Sequence, residues 1–222
     1  FPDTIGQPGA KPRQMVDPAG PWNAEGQRRL AGMYAGMASR KAAGWGFPLM
    51  MDSPAPLQFL ITPEETLIIN IYQEARHVYT DDRDHPPEED RWITTWGDSV
   101  GHWEGDTLVF DTLSLHSSES GSTMIDRTGL ILSDAAHVVT RMHIAEGDVM
   151  VVEMTIEDAK ALTAPWVVTK RFNRQPAGTR VYDYACNENN RNPIDPATGW
   201  TYTIGPDGKI MDQSPSAAGS EE

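Results

Sequence analysis

The sequence predicts an all-β fold: an antiparallel, lipocalin-like barrel of about eight strands with one N-terminal helix packed on it. Three observations carry this expectation. From Pro56 onward, short runs rich in β-branched and aromatic residues follow one another, with turn punctuation and no helical periodicity between them. Two glycine turns, Glu104-Gly105-Asp106 and Glu146-Gly147-Asp148, sit where hairpins would fold back. A single apolar stripe at helical spacing precedes all of these runs. Sequential strands without helices between them form a meander, and a meander closes as an antiparallel barrel rather than as a parallel sheet.

Residues 1–22 are rich in proline and glycine and lack apolar periodicity, so they are expected to form an extended arm. A helix is predicted from Ala24 to about Ala42, with Asn23 as N-cap and Gly44 as its stop. Leu30, Met33, Tyr34 and Met37 form its apolar stripe, which should pack on the barrel. Strands follow at Leu57–Thr62, Thr66–Gln73 and Ala75–Thr80, then a charged loop from Asp81 to Asp90. The hairpin around Gly105 comes next, and then a serine-rich loop from Ser114 to Thr128. Ala136–Ile144 and Val149–Glu157 form the second hairpin, and Trp166–Asn173 and Thr179–Asn187 close the series. The organisation is thus arm and helix over 1–44, barrel over 45–204, and a tail over 205–222 expected to be disordered.

Composition narrows the function. Eighteen basic and 32 acidic residues give a net charge of −14, and no basic stripe exists to neutralise phosphates. Nucleic acid and anionic membranes are therefore not expected partners. No apolar run approaches a membrane span of about 18 residues. The single cysteine, Cys186, excludes an internal disulfide. The chain begins Phe1-Pro2-Asp3, which points to removal of a signal peptide or to trimming. The acidic balance and near-absence of cysteine fit an exported protein, so a periplasmic or secreted location is expected.

The densest chemistry lies between Trp96 and Thr112. Trp96, His102, Trp103 and Glu104 place aromatic faces beside titratable groups on a hairpin, which suits a flat, partly polar organic ligand. The alternative is that Trp103 belongs to the core and that His102 and Glu104 are solvated. In Ala75–Thr80, Arg76 and Val78 share one face, and His77 and Tyr79 share the other. A turn centred on Gly147 sets Arg141 opposite Glu153 and His137 opposite Glu157, with His143 on the same face. Met150, Val152, Met154 and Ile156 occupy the reverse face. The polar row is either the solvated outside or the lining of a hydrated cavity. Arg180, Tyr182, Tyr184 and Cys186 alternate as an inward face would, and a buried tyrosine hydroxyl can donate a proton.

Six histidines show no local metal-ligand spacing, and no phosphate-cradling glycine loop or nucleophile elbow occurs. Neither metal nor cofactor is expected. The candidate acid/base residues are His102, Tyr79, Glu104, Arg76, His137 and Tyr184, with His102 and Tyr79 foremost. Trp96, Trp103, Tyr182 and His77 are the candidate substrate contacts. Tyr79 and Arg76 lie on opposite faces of a regular strand, so both can serve only if a bulge intervenes near Glu74.

Four stretches carry a resemblance: Tyr79-Thr80-Asp81 through His85-Pro86, Trp96 through Val109, Ser133 through Val139, and Cys186-Asn187-Glu188-Asn189. Over residues 57–190 the chain resembles a group of exported bacterial proteins frequent in soil bacteria. In many of these a His-Pro-His segment precedes the Ser-Asp/Glu motif, whereas Leu130-Ile131-Leu132 stands there in this chain, implying a more apolar ligand. The group is in turn similar to cofactor-free lyases of lignin-degrading sphingomonads. The resemblance implies cleavage of a benzylic ether in a phenylcoumaran-type aromatic dimer, with release of carbon dioxide or formaldehyde to leave a stilbene. A carrier of an apolar or aromatic small molecule is the alternative. The partner expected in either case is an aromatic small molecule, and a homodimer is left open.

Overall fold

The computed structural model describes residues 19–29, 46–52, 56–70, 74–116 and 132–180. Eight strands form one sheet in sequence order: β1 (Leu57–Ile61), β2 (Glu65–Asn70), β3 (Ala75–Tyr79), β4 (Asp98–Glu104), β5 (Thr107–Leu113), β6 (His137–Ala145), β7 (Val149–Glu157) and β8 (Trp166–Asn173). The fold is all-β and antiparallel in the main, as the meander predicts. The sheet curls as a half-barrel, and among the described residues β1 and β8 remain its edges.

One junction departs from a continuous meander. β3 and β4 run parallel and touch through the single pair Tyr79–Val100, while the other six junctions are antiparallel. The physical reason is the long connection between them, which carries the chain back to the end where β3 began. A tight hairpin would have reversed it. As a consequence β1 and β8 point the same way along the sheet. Together with the start of β7 they line a cleft of about 670 Å³, with Leu57 and Phe59 of β1 on one side and Met150 of β7 and Phe172 of β8 on the other. The strand expected at Thr179–Asn187 lies outside the described residues from position 181 onward.

Both predicted hairpins hold their register. Glu104 pairs with Thr107 across Gly105-Asp106, and Gly105 has φ +60°. In the second hairpin Arg141 faces Glu153 and His137 faces Glu157. The inward row of β7, Val152, Met154 and Ile156, is buried, so the polar row on β6 and β7 is the outer face.

The core is closed by a plug that the sequence stripe did not identify. Phe47, Met50 and Met51, on and beside a short 3₁₀ turn (Leu49–Asp52), are at most 1% exposed and pack with Phe110, Val138 and Trp166. Residues 24–29 of the predicted helix are helical, and Asn23 caps them through its Oδ1, which accepts from the Gly26 N–H at 3.0 Å. The stripe from Leu30 to Met37 lies outside the described residues. The arm just before the helix docks on the core, with the Trp22 ring edge-on to Trp166 at 5.4 Å.

Gly101 in β4 is a glycine because of a close approach rather than a turn. A Cβ there would lie 2.3 Å from the Val109 carbonyl oxygen and 2.5 Å from Phe110 Cβ. Gly101→Ala should cost about 3 kcal/mol in denaturant unfolding, because rigid backbone must move. Gly105→Ala meets nothing within 4 Å and carries only the strain of positive φ, so its cost should be about 1 kcal/mol. Equal costs at the two positions would contradict this packing.

Candidate functional site

Strand alternation places Asp98, Val100, His102 and Glu104 of β4 on the outer face. Val109 and Asp111 of β5 and His137, Val139 and Arg141 of β6 join them there. The charged loop before β4 folds back over these residues and brings His85 with it. The result is an alternating chain of carboxylates and imidazoles. His85 Nδ1 lies against Asp98 Oδ1, and its Nε2 is 3.0 Å from Asp111 Oδ2. His137 Nε2 is 3.2 Å from the same Asp111 oxygen, and His137 Nδ1 is 3.3 Å from Glu157 Oε2. The sequence of groups is therefore Asp98, His85, Asp111, His137, Glu157.

The electrostatics follow from that order. Hydrogen bonds from His137 and then His85 hold the Asp111 carboxyl below the usual aspartate range. The Asp111 carboxylate, opposed by burial and helped by Glu157, raises His137 above the ordinary histidine value. Both ring nitrogens of His137 face carboxylate oxygens, and only an imidazolium has two N–H groups to donate. Among the described residues no group of three or more His, Cys, Asp or Glu side chains is arranged to hold a metal ion.

The chain opens on a pocket of about 400 Å³. Its polar lining includes Arg83, His102 and Asp111, and its apolar lining Val100, Val109 and Val139. Arg83 lies 4.0 Å over the Tyr79 ring and is bound to Asp81, so Tyr79 borders the pocket without lining it. His102 Nε2 is 3.2 Å from Glu104 Oε1, and Arg141 donates to the other oxygen of Glu104 at 2.6 Å. Arg141 first, and then His102, pull the Glu104 carboxyl down. These exposed pairs orient side chains more than they stabilise the fold, because solvent screens them.

The sequence candidates thus divide. His102, Glu104, Tyr79 and His137 share the outer face, as does His77, which pairs with Glu65 and stacks on Tyr79 at 6.0 Å. Arg76 faces inward. Pairing of β2 with β3 is regular from Glu65 to Ile69, so no bulge brings Arg76 round to join Tyr79. Neither Trp96 nor Trp103 lines the pocket: Trp96 packs on the core and Trp103 stands 41% exposed near the hairpin tip. Tyr182 and Tyr184 lie outside the described residues. Sequence reasoning missed His85, Asp98, Asp111 and Arg83 as site residues. His85-Pro86 and Gly97-Asp98 were visible, but only the fold of the long loop sets them beside Asp111.

Comparison with protein families, with curated proteins and with solved structures finds no match to this chain.

The chain of imidazoles and carboxylates has a pH signature. His137, raised in the folded state, contributes stability fully below its unfolded value near 6.5 and loses it as pH rises through the folded value. Asp111, lowered in the folded state, contributes above about 3.8 and loses its part as pH falls. His137→Gln should therefore destabilise most below pH 6.5, while Asp111 is still ionised, and least once the pH has risen through the folded value of His137. A loss that grows with rising pH in urea titrations would contradict the assignment.

Proposed function

We propose that this protein is a cofactor-independent lyase that opens the benzylic ether of a lignin-derived, phenylcoumaran-type aromatic dimer by general acid/base catalysis. The observation that carries the reading is the pocket where His102 and Asp111 converge over a valine floor, with two imidazoles behind Asp111. Two proton-transfer groups on one apolar pocket are what acid/base chemistry needs, whereas a carrier needs only the apolar part. The substrate class comes from the resemblance of residues 57–190 to exported proteins akin to phenylcoumaran lyases. The same resemblance supports a periplasmic or secreted location.

The residues fit a balanced route. His102, oriented by Glu104, takes the proton of the phenol para to the benzylic carbon. The electron pair moves through the ring, the benzylic C–O bond breaks, and a quinone methide forms. Arg83, with Tyr79 beneath it, stabilises the departing phenolate, which a proton delivered through His137 and Asp111 neutralises. Asp111 then accepts the proton of the side-chain hydroxyl. The adjacent C–C bond breaks, formaldehyde leaves, and its electron pair reduces the quinone methide to the stilbene phenolate. When a carboxylate replaces the hydroxymethyl group, carbon dioxide leaves instead. Neither version requires an external oxidant or reductant.

Incubation with phenylcoumaran dimers should produce stilbene absorbance. Asp111→Asn and His102→Gln should each lower kcat by about 10²–10⁴-fold while the variants still melt cooperatively. No stilbene, or both variants within about twofold of the parent, overturns the reading.

A further inference from the structure

The cleft between β1 and β8 is bordered by Leu57, Gln58 and Phe59 of one strand and by Arg171, Phe172 and Asn173 of the other. Side chains alternate along a strand, so consecutive residues border one cleft where the strand's edge itself faces it. Thr62 N–H donates to the Glu65 carbonyl at 2.9 Å, in register with the β1–β2 pairing. Hydrogen-bonded pairs recur at every second residue of an antiparallel ladder. Leu60 and Gln58 therefore bond to β2, and Leu57, Phe59 and Ile61 turn their N–H and C=O groups to the free edge. At β8, Arg174 N–H donates to the Asp148 carbonyl at 3.4 Å, in register with the β7–β8 pairing. Phe172 thus bonds to β7, while Arg171 and Asn173 turn theirs to the free edge. Among the described residues, no backbone hydrogen bond reaches Leu57, Phe59, Arg171 or Asn173 from beyond the sheet.

These two edges suit one occupant. β1 and β8 point the same way, so a single extended segment running opposite lies antiparallel to both. Leu57 and Phe59 face inward and pack on the core, whereas Arg171 and Asn173 are on the exposed outer face. Within any strand, inward residues bond to one neighbour and outward residues to the other, so one intervening strand serves both edges. The inner side of the slot is apolar, with Leu57, Phe59, Met150 and Phe172 against the core and still partly exposed. On the rim, Arg174 has Asp148 at 3.7 Å, while Arg171 has no acidic partner among the described residues. β1 carries neither charge nor proline, the devices that ordinarily keep an edge from pairing.

We infer that this cleft is a docking slot for an extended peptide of another protein, in which apolar and acidic side chains alternate, and that it adds as a strand antiparallel to β1 and β8. The room is about 670 Å³, within the range of ligand clefts. Main-chain bonds supply the affinity and alternate side chains the specificity. The apolar side chains turn inward among Phe59, Met150 and Phe172, and their residues' N–H and C=O groups meet Leu57 and Phe59. The acidic side chains turn outward to Arg171, and their residues' backbone groups meet Arg171 and Asn173. The slot shares no lining residue with the pocket of His102 and Asp111, so it stands or falls independently of the proposed activity.

The probe is a fluorescein-labelled, end-capped hexapeptide of alternating glutamate and valine, titrated with the whole chain by fluorescence anisotropy. Physiological salt screens the chain's net negative charge. The peptide should bind saturably. N-methylation of its valines removes the donors to β1, and N-methylation of its glutamates removes those to β8. Each change should weaken binding by about tenfold or more. Exchanging the glutamates for lysines should weaken it by roughly a few-fold. Leu57→Pro removes an N–H at the free edge and leaves the β1–β2 ladder intact, so it should still melt cooperatively and bind about tenfold more weakly. No binding by the parent, or equal binding of the plain and N-methylated peptides, would overturn the inference. So would a parent that dimerises in sedimentation while Leu57→Pro is monomeric, since a second copy would then fill the slot. The parent's titrations with plain and N-methylated peptides decide the matter even if the variant fails to fold.

Discussion

One carboxylate, that of Asp111, holds the outer face together. It sits on β5, between Val100 of β4 and Val139 of β6, and one of its oxygens meets an imidazole from the charged loop and another from β6. Through His85 it fastens the long β3–β4 connection to the sheet. That connection also carries Arg83, so the pocket's upper edge depends on the same anchor. Without the Asp111 charge, the two imidazoles would lose their common acceptor and the loop its side-chain tie to β5 through His85.

The same strand organises the opposite face. Asp111 points out, while its neighbours Phe110 and Thr112 point in, toward Arg76. Period-two alternation thus keeps a hydrated chain of acids and imidazoles one residue away from a dry guanidinium. The two environments push protons in opposite ways. Charge partners on the outside favour ionised groups, whereas desolvation on the inside penalises the lone cation. Gly101 allows the hairpin to close tightly enough for both faces to be built on one pair of strands.

Much of this was legible in the sequence, for a local reason. Gly105 and Gly147 fix turn geometry, and once a turn is fixed the period of a strand dictates every partner, which is how Arg141 met Glu153 and His137 met Glu157. The illegible parts are the non-local ones. Nothing near Tyr79 or Val100 announces that they pair in parallel, because a long loop decides it. His85 looked like loop punctuation beside two prolines, and its role depends on that loop's return. The plug of Phe47, Met50 and Met51 has no periodicity to detect, since a single 3₁₀ turn is too short to show one. Arg76 and Tyr79 were correctly assigned to opposite faces, but alternation alone does not say which face is dry.

The central claim is that Asp111 and His137 act as one proton-holding unit, and an NMR titration of the His137 ring protons in the parent and in Asp111→Asn tests it most directly. The account predicts that His137 titrates above the ordinary histidine range in the parent and moves down in the variant, where the neutral amide no longer favours the imidazolium. A His137 midpoint that is the same in both proteins would contradict it.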